Sequence, residues 1–373
     1  MIEFMEKYKD MTIRKKSNVK MIRNLAFFIA LVIFTFWYIF KDQDLNELWK
    51  ALESTNIVYI IIGAILMLFV FLSEANNVRQ VLVALGEKKL SIIKALRLTW
   101  IGFFFSAITP AATGGQPVEV YYMTKEGIST ANGTMAMLLQ LCGFQISTLS
   151  LSIISAIIFP DLLKGGVVWF WLLGLLLNGT ALAFMLVSVF SKKITRKLVD
   201  YLVKILKKIN VRNVDKKVEK IEAGLKQYNE SSVFILSHKK EFVKAILRVF
   251  VQIIFYHSIT YSVYKAFGLS GENFFRIFAM QSVFYTTVSG MPLPGAIGVS
   301  ETLFLKIFGT SFPKLLLSGA MLIYRLISFY FYLVVSAIVV VVTSIRTKDI
   351  ESQMDKDIDE IDGIITNKKK VYS

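Results

Sequence analysis

Long apolar segments alternate with shorter polar ones along most of the chain. Several of them approach or exceed the length of about 20 residues that a helix needs to cross a bilayer. The pattern therefore predicts a bundle of membrane-spanning helices. Six full spans are predicted, at residues 25–40, 57–72, 131–159, 167–190, 243–267 and 315–343.

Two further apolar stretches are interrupted by proline and glycine. Residues 109–122 read TPAATGGQPVEVYY, and residues 289–301 read SGMPLPGAIGVSE. Proline removes a backbone donor and clashes with the preceding turn, so neither stretch is expected to continue as regular helix. The arm before the first interruption, residues 98–108, would extend for only about 16 Å, which is half a bilayer. Each stretch is therefore predicted to form a re-entrant hairpin, with separate crossing by each arm as the alternative.

Basic residues indicate how the chain is threaded. Residues 1–24 and 191–242 are rich in Lys and Arg, which collect on the cytoplasmic side of membrane proteins. With both segments in the cytoplasm, both termini are cytoplasmic and the two hairpins enter from opposite sides. The predicted fold class is an all-α polytopic membrane protein with about six full spans plus two opposed re-entrant broken-helix hairpins, related as an inverted repeat.

The chain then divides into five predicted regions. They are a basic N-terminus (1–24), a first transmembrane half (25–190) with a hairpin at about 98–123, a cytoplasmic helical hairpin (191–242), a second transmembrane half (243–345) with a hairpin at about 274–309, and a charged tail (346–373). The two amphipathic helices expected in 191–242 either lie near the anionic inner leaflet or form a solvated connector.

Composition supports the membrane class. The 373 residues are 55% hydrophobic, and 43 Lys and Arg against 27 Asp and Glu give a formal net charge of +16. In a soluble protein this charge would suggest nucleic acid, but the bilayer and its anionic phospholipids account for it here, so no nucleic acid partner is expected. Cys142 is a lone cysteine and the two histidines are far apart, so no disulfide, metal or cofactor is expected. No catalytic constellation is visible.

Ionisable residues inside apolar segments are the candidates for a binding site, because placing them in a bilayer is costly. Glu119 follows the first interruption, with a wet position at the interface as its alternative. Arg325 lies inside the last span, where its planar fork suits phosphate or carboxylate, with internal pairing to Glu301 or Glu119 as its alternative. The predicted substrate-binding residues are Thr113, Gly114, Gly115, Gln116, Glu119, Tyr122, Glu301 and Arg325, and the secondary candidates are Glu74, Arg79, Arg248, Gln252 and Gln281.

Several of these candidates also have a purely structural interpretation. Gly114 and Gly115 either expose backbone to a headgroup or allow two helices to approach closely. Glu301 is placed to interact with the dipole at a helix N-terminus. Arg79 and Arg248 are interpreted as interfacial residues.

Two predicted spans carry a polar stripe. Gln145, Thr148, Ser152 and Ser155 share one helical face, and Arg248, Gln252, Tyr256 and Thr260 recur every fourth residue. Such faces are expected to look into the bundle, where polar side chains hydrogen-bond between helices. Residues 73–79 are predicted to form a polar turn after the second span.

Three motifs in this order resemble a known family. They are TPAATGGQPVEVYY at 109–122 followed by Lys125-x-Gly127-Ile128, MPLPGAIGVSE at 291–301, and LIYRL at 322–326. Together they resemble the transmembrane region of lysylphosphatidylglycerol synthase/flippase proteins, which is the membrane half of the multiple peptide resistance factor. The resemblance covers most of the chain between the N-terminal basic segment and the charged tail.

The resemblance implies a bacterial plasma-membrane protein that moves a phospholipid, or an aminoacylated phospholipid, of the phosphatidylglycerol class between leaflets. Full-length members add a cytosolic domain that transfers lysine onto phosphatidylglycerol. Only about 25 residues follow the last span here, too few for a folded domain, so lysyl transfer by this chain itself is not expected. The alternatives are a membrane component of a lysyltransferase whose catalytic domain is on another chain, and a non-transporting scaffold. The candidate protein partners are a second copy of the chain and a separate aminoacyl-lipid synthase.

Overall fold

The structure is a computed structural model that describes residue 53 and residues 55–109, 112–208, 214–289 and 299–345. Helices account for nearly all of these ranges. They are α1 (Ile57–Ala84), α2 (Ile92–Ala107), α3 (Gly115–Lys125), α4 (Thr130–Ile158), α5 (Val167–Phe190), α6 (Lys192–Lys208), α7 (Val214–Ser237), α8 (Lys239–Ala266), α9 (Phe274–Ser289), α10 (Val299–Phe308) and α11 (Lys314–Arg325). A 3-10 helix, Pro160–Leu163, precedes α5, and a π-helix, Leu326–Tyr330, continues α11 into helix that extends to residue 345.

Five helical segments in the described ranges are long and apolar enough to cross a membrane. They are α1, α4, Val167–Val189 of α5, α8 and the continuous segment Lys314–Ile345. Their outer faces expose large apolar side chains such as Trp169, Leu176 and Val334, as expected of a surface that contacts lipid. The all-α polytopic membrane class and five of the six predicted spans are thereby confirmed. The remaining span, 25–40, lies outside the described residues, as do the predicted segments 1–24 and 346–373.

The polar turn predicted at residues 73–79 is wrong, because α1 runs through this stretch to Ala84. Asn77 is fully buried there and donates to Gln140 of α4 at 2.6 Å. Arg79 donates to the carbonyl of Leu90 at 2.7 Å. Polar side chains that find partners on neighbouring segments do not force a helix to end.

Loop contacts define one end of the bundle, which we call the basic end. The backbone N–H of Ser129 donates to Glu87 at 3.1 Å, and Lys94 pairs with Glu126 at 2.8 Å. These contacts gather the C-termini of α1 and α3 with the N-termini of α2 and α4. Burial opposes ionisation of Glu126, but hydrogen bonds and charges from Lys94 and Arg97 outweigh it and lower the pKa of its carboxyl.

The opposite end of the bundle is fixed by a second set of contacts. Arg276, at the start of α9, pairs with Asp161 just beyond the end of α4 at 2.5 Å. The hydrogen bond from Arg276 lowers the pKa of the Asp161 carboxyl. Ser311, after α10, donates to Glu272, before α9, at 3.0 Å. The N-terminus of α9 and the C-terminus of α10 therefore lie at this end.

Helices α2 and α3 form a hairpin that enters from the basic end and ends inside the bundle. With 16 and 11 residues, they extend for about 24 and 16 Å, less than the roughly 30 Å of a hydrocarbon core. Phe103, near the end of α2, packs edge-on against Phe71 in the middle of α1, with ring centroids 5.2 Å apart. Residues 110 and 111, which include the predicted helix breaker Pro110, lie outside the described residues.

Helices α9 and α10 form a second hairpin that enters from the opposite end. At the end of α9, Ser289 donates to Asn178, in the middle of α5, at 3.1 Å. In the first turn of α10, Glu301 pairs with Arg325, which lies well inside the segment Lys314–Ile345. The two hairpins are therefore opposed, in agreement with the prediction. Residues 290–298, the greater part of the second interruption, lie outside the described residues, and the inverted repeat stays a prediction.

The basic segment between α5 and α8 forms α6 and α7. Ser231 of α7 donates to Asn132 of α4 at 2.5 Å, and Tyr228 donates to the carbonyl of Ser188 in α5 at 3.0 Å. Helix α7 is therefore part of the basic end and not a free connector. The position of α6 near an anionic leaflet stays a prediction.

Candidate functional site

The described inner ends of the hairpin arms border two neighbouring cavities in the middle of the bundle. We call the larger, of about 560 Å³, the hairpin-tip cavity and the smaller, of about 270 Å³, the arginine cavity. Among the described residues, both are lined by Phe71, Glu74, Phe103, Ser106, Ala112, Phe144, Tyr285 and Ser289. This shared wall contains residues of both hairpins, so the two cavities form one interior. Its wall is mostly apolar, and we call it the polar interior for the buried carboxylates, amides and Arg325 that are set into it.

The first hairpin places most of its predicted site residues around the hairpin-tip cavity. Thr113, Gly115, Gln116 and Glu119 all line it. Glu119 is only 2% exposed, and its Oε1 has no hydrogen-bond partner among the described residues. Gly102 makes room for this carboxylate, since a Cβ added there would lie 2.5 Å from Glu119 Oε2. Glu119 is therefore an interior residue and not one at a wet interface.

Glycines let the two arms of the first hairpin touch. A Cβ added at Gly115 would lie 2.5 Å from the backbone carbonyl of Gly102 and 1.9 Å from Ser106 Oγ. A Cβ added at Gly114 would lie 2.7 Å from the side chain of Thr109. These distances support the close-contact interpretation of the glycine pair, although Gly115 also borders the cavity.

Arg325 brings a positive charge to the other cavity. Its Nε lies 2.9 Å from Glu301 Oε1, and the two side chains are 10% and 3% exposed. The guanidinium also lies over the ring of Phe329, 4.4 Å from its centroid, in cation–π geometry. The structure thus supports the pairing of Arg325 with Glu301 that the sequence left open. Arg325 lines the arginine cavity together with Ser300 of the second hairpin.

A chain of hydrogen bonds links the basic end to the cavities. Arg248 Nε donates to Asn77 Oδ1 at 2.8 Å, and Asn77 Nδ2 donates to Gln140 Oε1 at 2.6 Å. Gln140 Nε2 donates to Gln252 Oε1 at 2.9 Å, and Gln252 Nε2 donates to Glu74 Oε2 at 3.0 Å. Glu74 borders both cavities, so the chain ends on a carboxylate of the polar interior.

The polar stripe of α8 is confirmed as an interior face. Besides Arg248 and Gln252, its Tyr256 lies 3.3 Å from the hydroxyl of Tyr324, and its Thr260 donates to Gln281 at 2.7 Å. Gln281 in turn donates to the Tyr324 hydroxyl at 2.7 Å. The side chain of each of these four stripe residues therefore contacts a partner on another helix.

The stripe of α4 also faces inward. Gln145 borders the hairpin-tip cavity, while Thr148 and Ser155 are buried. Trp171 of α5 donates to Ser152 at 2.9 Å. Ser152 thus makes the hydrogen bond between helices that the spacing predicts, whereas Gln145 Oε1 and Thr148 Oγ1 have no partner among the described residues.

Six candidates do not line either cavity: Gly114 and Glu301, described above, and Tyr122, Gln281, Arg79 and Arg248. Tyr122 packs against the apolar cluster at the basic end. Gln281 of α9 is fully buried between partners on α8 and α11. Arg79 donates to a carbonyl of the loop after α1. Arg248 is half-buried at the start of the hydrogen-bond chain.

Sequence reasoning missed four amide or phenol side chains, three that line the cavities and Asn77 of the hydrogen-bond chain. They are Asn77, Gln140, Asn178 and Tyr285. Each is an amide or a phenol within an apolar helix, and that composition is the signal that would have identified it. In the described part of the chain, no group of three or more His, Cys, Asp or Glu residues is placed to hold a metal ion.

The fold and this interior define a class: a helical membrane protein in which two opposed hairpins border interior cavities that contain buried charged side chains. Residues 25–336 match the family described as the lysylphosphatidylglycerol synthase TM region, and the chain belongs to that family. A UPF0104 membrane protein of Archaeoglobus fulgidus is 21% identical over 324 residues, covering 85% of this chain and 96% of the relative. The family resemblance that the three motifs indicated is confirmed.

Proposed function

We propose that this protein moves an anionic phospholipid of the phosphatidylglycerol class, or its aminoacylated form, from one leaflet to the other. The headgroup would pass through the two cavities while the acyl chains stay in the surrounding lipid. The observation that carries the proposal is the polar interior between the described ends of the hairpin arms. Glu119, Glu74 and Arg325 line it, and Glu301 pairs with Arg325.

The chemistry of the interior suits a phosphate-bearing headgroup. A charged group in hydrocarbon costs several kcal/mol, and a path lined by hydroxyl, amide and charged groups lowers that cost. Arginine binds phosphate through two parallel N–H···O bonds. At Arg325 the phosphate would compete with Glu301, so lipid binding and release of the second hairpin from α11 would be linked. Such exchange of a ligand for an internal partner is a means of opening one side of the site at a time.

The test uses the full chain reconstituted in phosphatidylglycerol vesicles that contain a fluorescent phosphatidylglycerol analogue. A membrane-impermeant quencher then reports the analogue exposed in the outer leaflet. Wild-type protein is expected to make the inner pool accessible within the assay. Glu119→Gln, and Arg325→Gln combined with Glu301→Gln, are expected to lose this activity while staying folded.

The matched control removes an exposed ion pair, Lys244 with Glu241, as Lys244→Gln combined with Glu241→Gln. It is expected to transport at the wild-type rate. Wild-type rates in the folded cavity variants would refute the assigned site, and absence of translocation by the wild-type protein would refute the proposed function. Association with a second copy or with a separate aminoacyl-lipid synthase stays a prediction.

A further inference from the structure

We propose that Glu119 and Glu74 form a proton-binding site that couples lipid movement to a proton gradient. The inference rests on the proposed function, and it assigns the driving force of that movement. The proton would bind to Glu119, travel with an anionic headgroup, and leave on the other side of the membrane. No bond other than the O–H bond forms or breaks.

Geometry identifies Glu119 as the carboxyl that takes the proton. It is 2% exposed, and its Oε1 has no hydrogen-bond partner among the described residues. Glu74 differs, because Gln252 donates to it at 3.0 Å. A donor stabilises an ionised carboxylate, whereas an unpartnered buried oxygen favours the neutral acid. The two carboxyls line the same cavity, and two negative charges at such a place repel each other unless one is neutralised.

The surroundings fit a proton better than a metal cation. Hard cations take six or more oxygen ligands. The side-chain oxygens of Gln140 and Gln252 already accept hydrogen bonds, and the amide of Gln252 presents N–H to Glu74. These amides therefore present N–H donors to a carboxylate, but few free oxygen ligands to a cation.

Charged and titratable groups on the other helices complete the setting. Around the cavities, α8 and α9 contribute Tyr256 and Tyr285, and α11 contributes Tyr324 and Arg325. The charge of Arg325 is paired with Glu301 of α10. From α2, α4 and α5 the described cavity walls receive uncharged residues. Glu74 and Glu119 are therefore the acidic groups of the described hairpin-tip wall.

Lipid and proton are coupled by charge. A phosphate that enters a cavity already holding two carboxylates is repelled, and a proton on one of them removes part of that repulsion. Each ligand then raises the affinity for the other, because linkage is reciprocal. Moving one proton with one singly charged headgroup also carries no net charge across the membrane.

Two measurements on the full chain test the inference. Infrared difference spectroscopy at neutral pH, on protein in lipid nanodiscs, is expected to show a protonated carboxyl band. The band should be lost in Glu119→Gln and kept in the control Glu241→Gln, whose carboxylate lies in an exposed pair. In vesicles with a transmembrane pH step, labelled phosphatidylglycerol should accumulate in the leaflet facing the alkaline side. For one proton per lipid the limiting asymmetry is about tenfold per pH unit, since one unit is a tenfold ratio of protons.

The possible outcomes distinguish the proton site, the coupling and the proposed function from one another. A spectrum that Glu119→Gln leaves unchanged would overturn the proton site, whatever the transport assay shows. If the variant does not fold, wild-type vesicles decide: lipid movement indifferent to the pH step would overturn the coupling. A Glu119 band in a protein that moves no lipid would support the proton site and refute the proposed function, so the two failures are distinguishable.

Discussion

At the scale of single residues, the interior contains buried charged side chains that have few possible partners. Arg325 and Glu301 are nearly buried and 2.9 Å apart. A buried ion pair contributes little net stability compared with an apolar pair, but removing one partner leaves a charge stranded at low dielectric. Loss of one partner is therefore expected to lower the stability more than loss of both partners.

Arg325→Ala is expected to destabilise the folded protein by about 3–5 kcal/mol, because Glu301 then loses its partner. Thermal unfolding of the purified protein in detergent measures the effect. Adding Glu301→Ala should recover part of the loss, since the single variants share one interaction. Lys244→Ala, in an exposed pair, should change stability by about 1 kcal/mol or less. Equal melting temperatures for Arg325→Ala and Lys244→Ala would contradict the assigned pairing.

Residue identity predicted these side chains but not their partners. Intramembrane Glu119 and Arg325 stand out in sequence because charges are rare in apolar segments. Nothing in the spacing decides whether Arg325 meets Glu301 or Glu119, because that depends on how α10 packs against α11. The repeat of polar residues in α8 likewise gives the interior face of that helix, but not the identity of Asn77 and Glu74 as its partners.

At the scale of elements, the two hairpins depend on close backbone contact. Gly115 of α3 lies against the Gly102 carbonyl of α2. Between α5 and α9, a Cβ added at Gly174 would lie 2.3 Å from the carbonyl of Thr286. Small residues at helix contacts are the usual means of association within a bilayer, where burial of apolar surface gives no drive.

Gly115→Ala is expected to destabilise the first hairpin by about 1–3 kcal/mol, through overpacking against α2. Thermal unfolding and the vesicle assay are both expected to reveal it. Gly179→Ala is the matched control, because Gly179 is also helical and an added Cβ there meets nothing within 4 Å. That substitution should be neutral or stabilise by roughly 0.5–1 kcal/mol, as alanine favours helix. A Gly115→Ala protein as stable as Gly179→Ala would show that the arms do not depend on this contact.

The hairpin arms were predictable because apolar sequence flanks each proline- and glycine-containing interruption on both sides. The continuity of α1 was not, since a run of polar residues reads as a turn until its partners are known. Asn77 and Glu74 remain in the helix because Gln140 and Gln252 satisfy them.

At the scale of the whole molecule, the opposed hairpins make the two ends of the bundle different. The basic end carries α6, α7, the loop with Lys88 and Lys89, and Lys125 at the end of α3. The other end carries Asp161 and Glu272 beside a smaller number of basic residues, among them Lys164, Arg276 and Lys314. Positive residues favour the cytoplasmic side, so the first hairpin is expected to open towards the cytoplasm.

Single cysteines in a Cys142→Ala background test this orientation. A membrane-impermeant maleimide applied to intact cells should label Gly271→Cys and leave Lys240→Cys unlabelled, because these exposed positions lie at opposite ends of the bundle. Lysis should make both reactive. Labelling of Lys240→Cys alone in intact cells would reverse the assigned orientation.

The hydrogen-bond chain from Arg248 to Glu74 has a consequence for direction. Each of its amides both donates and accepts, so rotating one alone would set oxygen against oxygen and N–H against N–H. Reversing the chain with every hydrogen bond kept would require Asn77, Gln140 and Gln252 to rotate together. Asn77 would then present N–H to position 248, which would have to supply an acceptor. The guanidinium of Arg248 has donors only, so this reversal is forbidden while Arg248 stays in place. Arg248 does not contact Glu74, yet it thus fixes the orientation of Gln252, the amide that donates to Glu74.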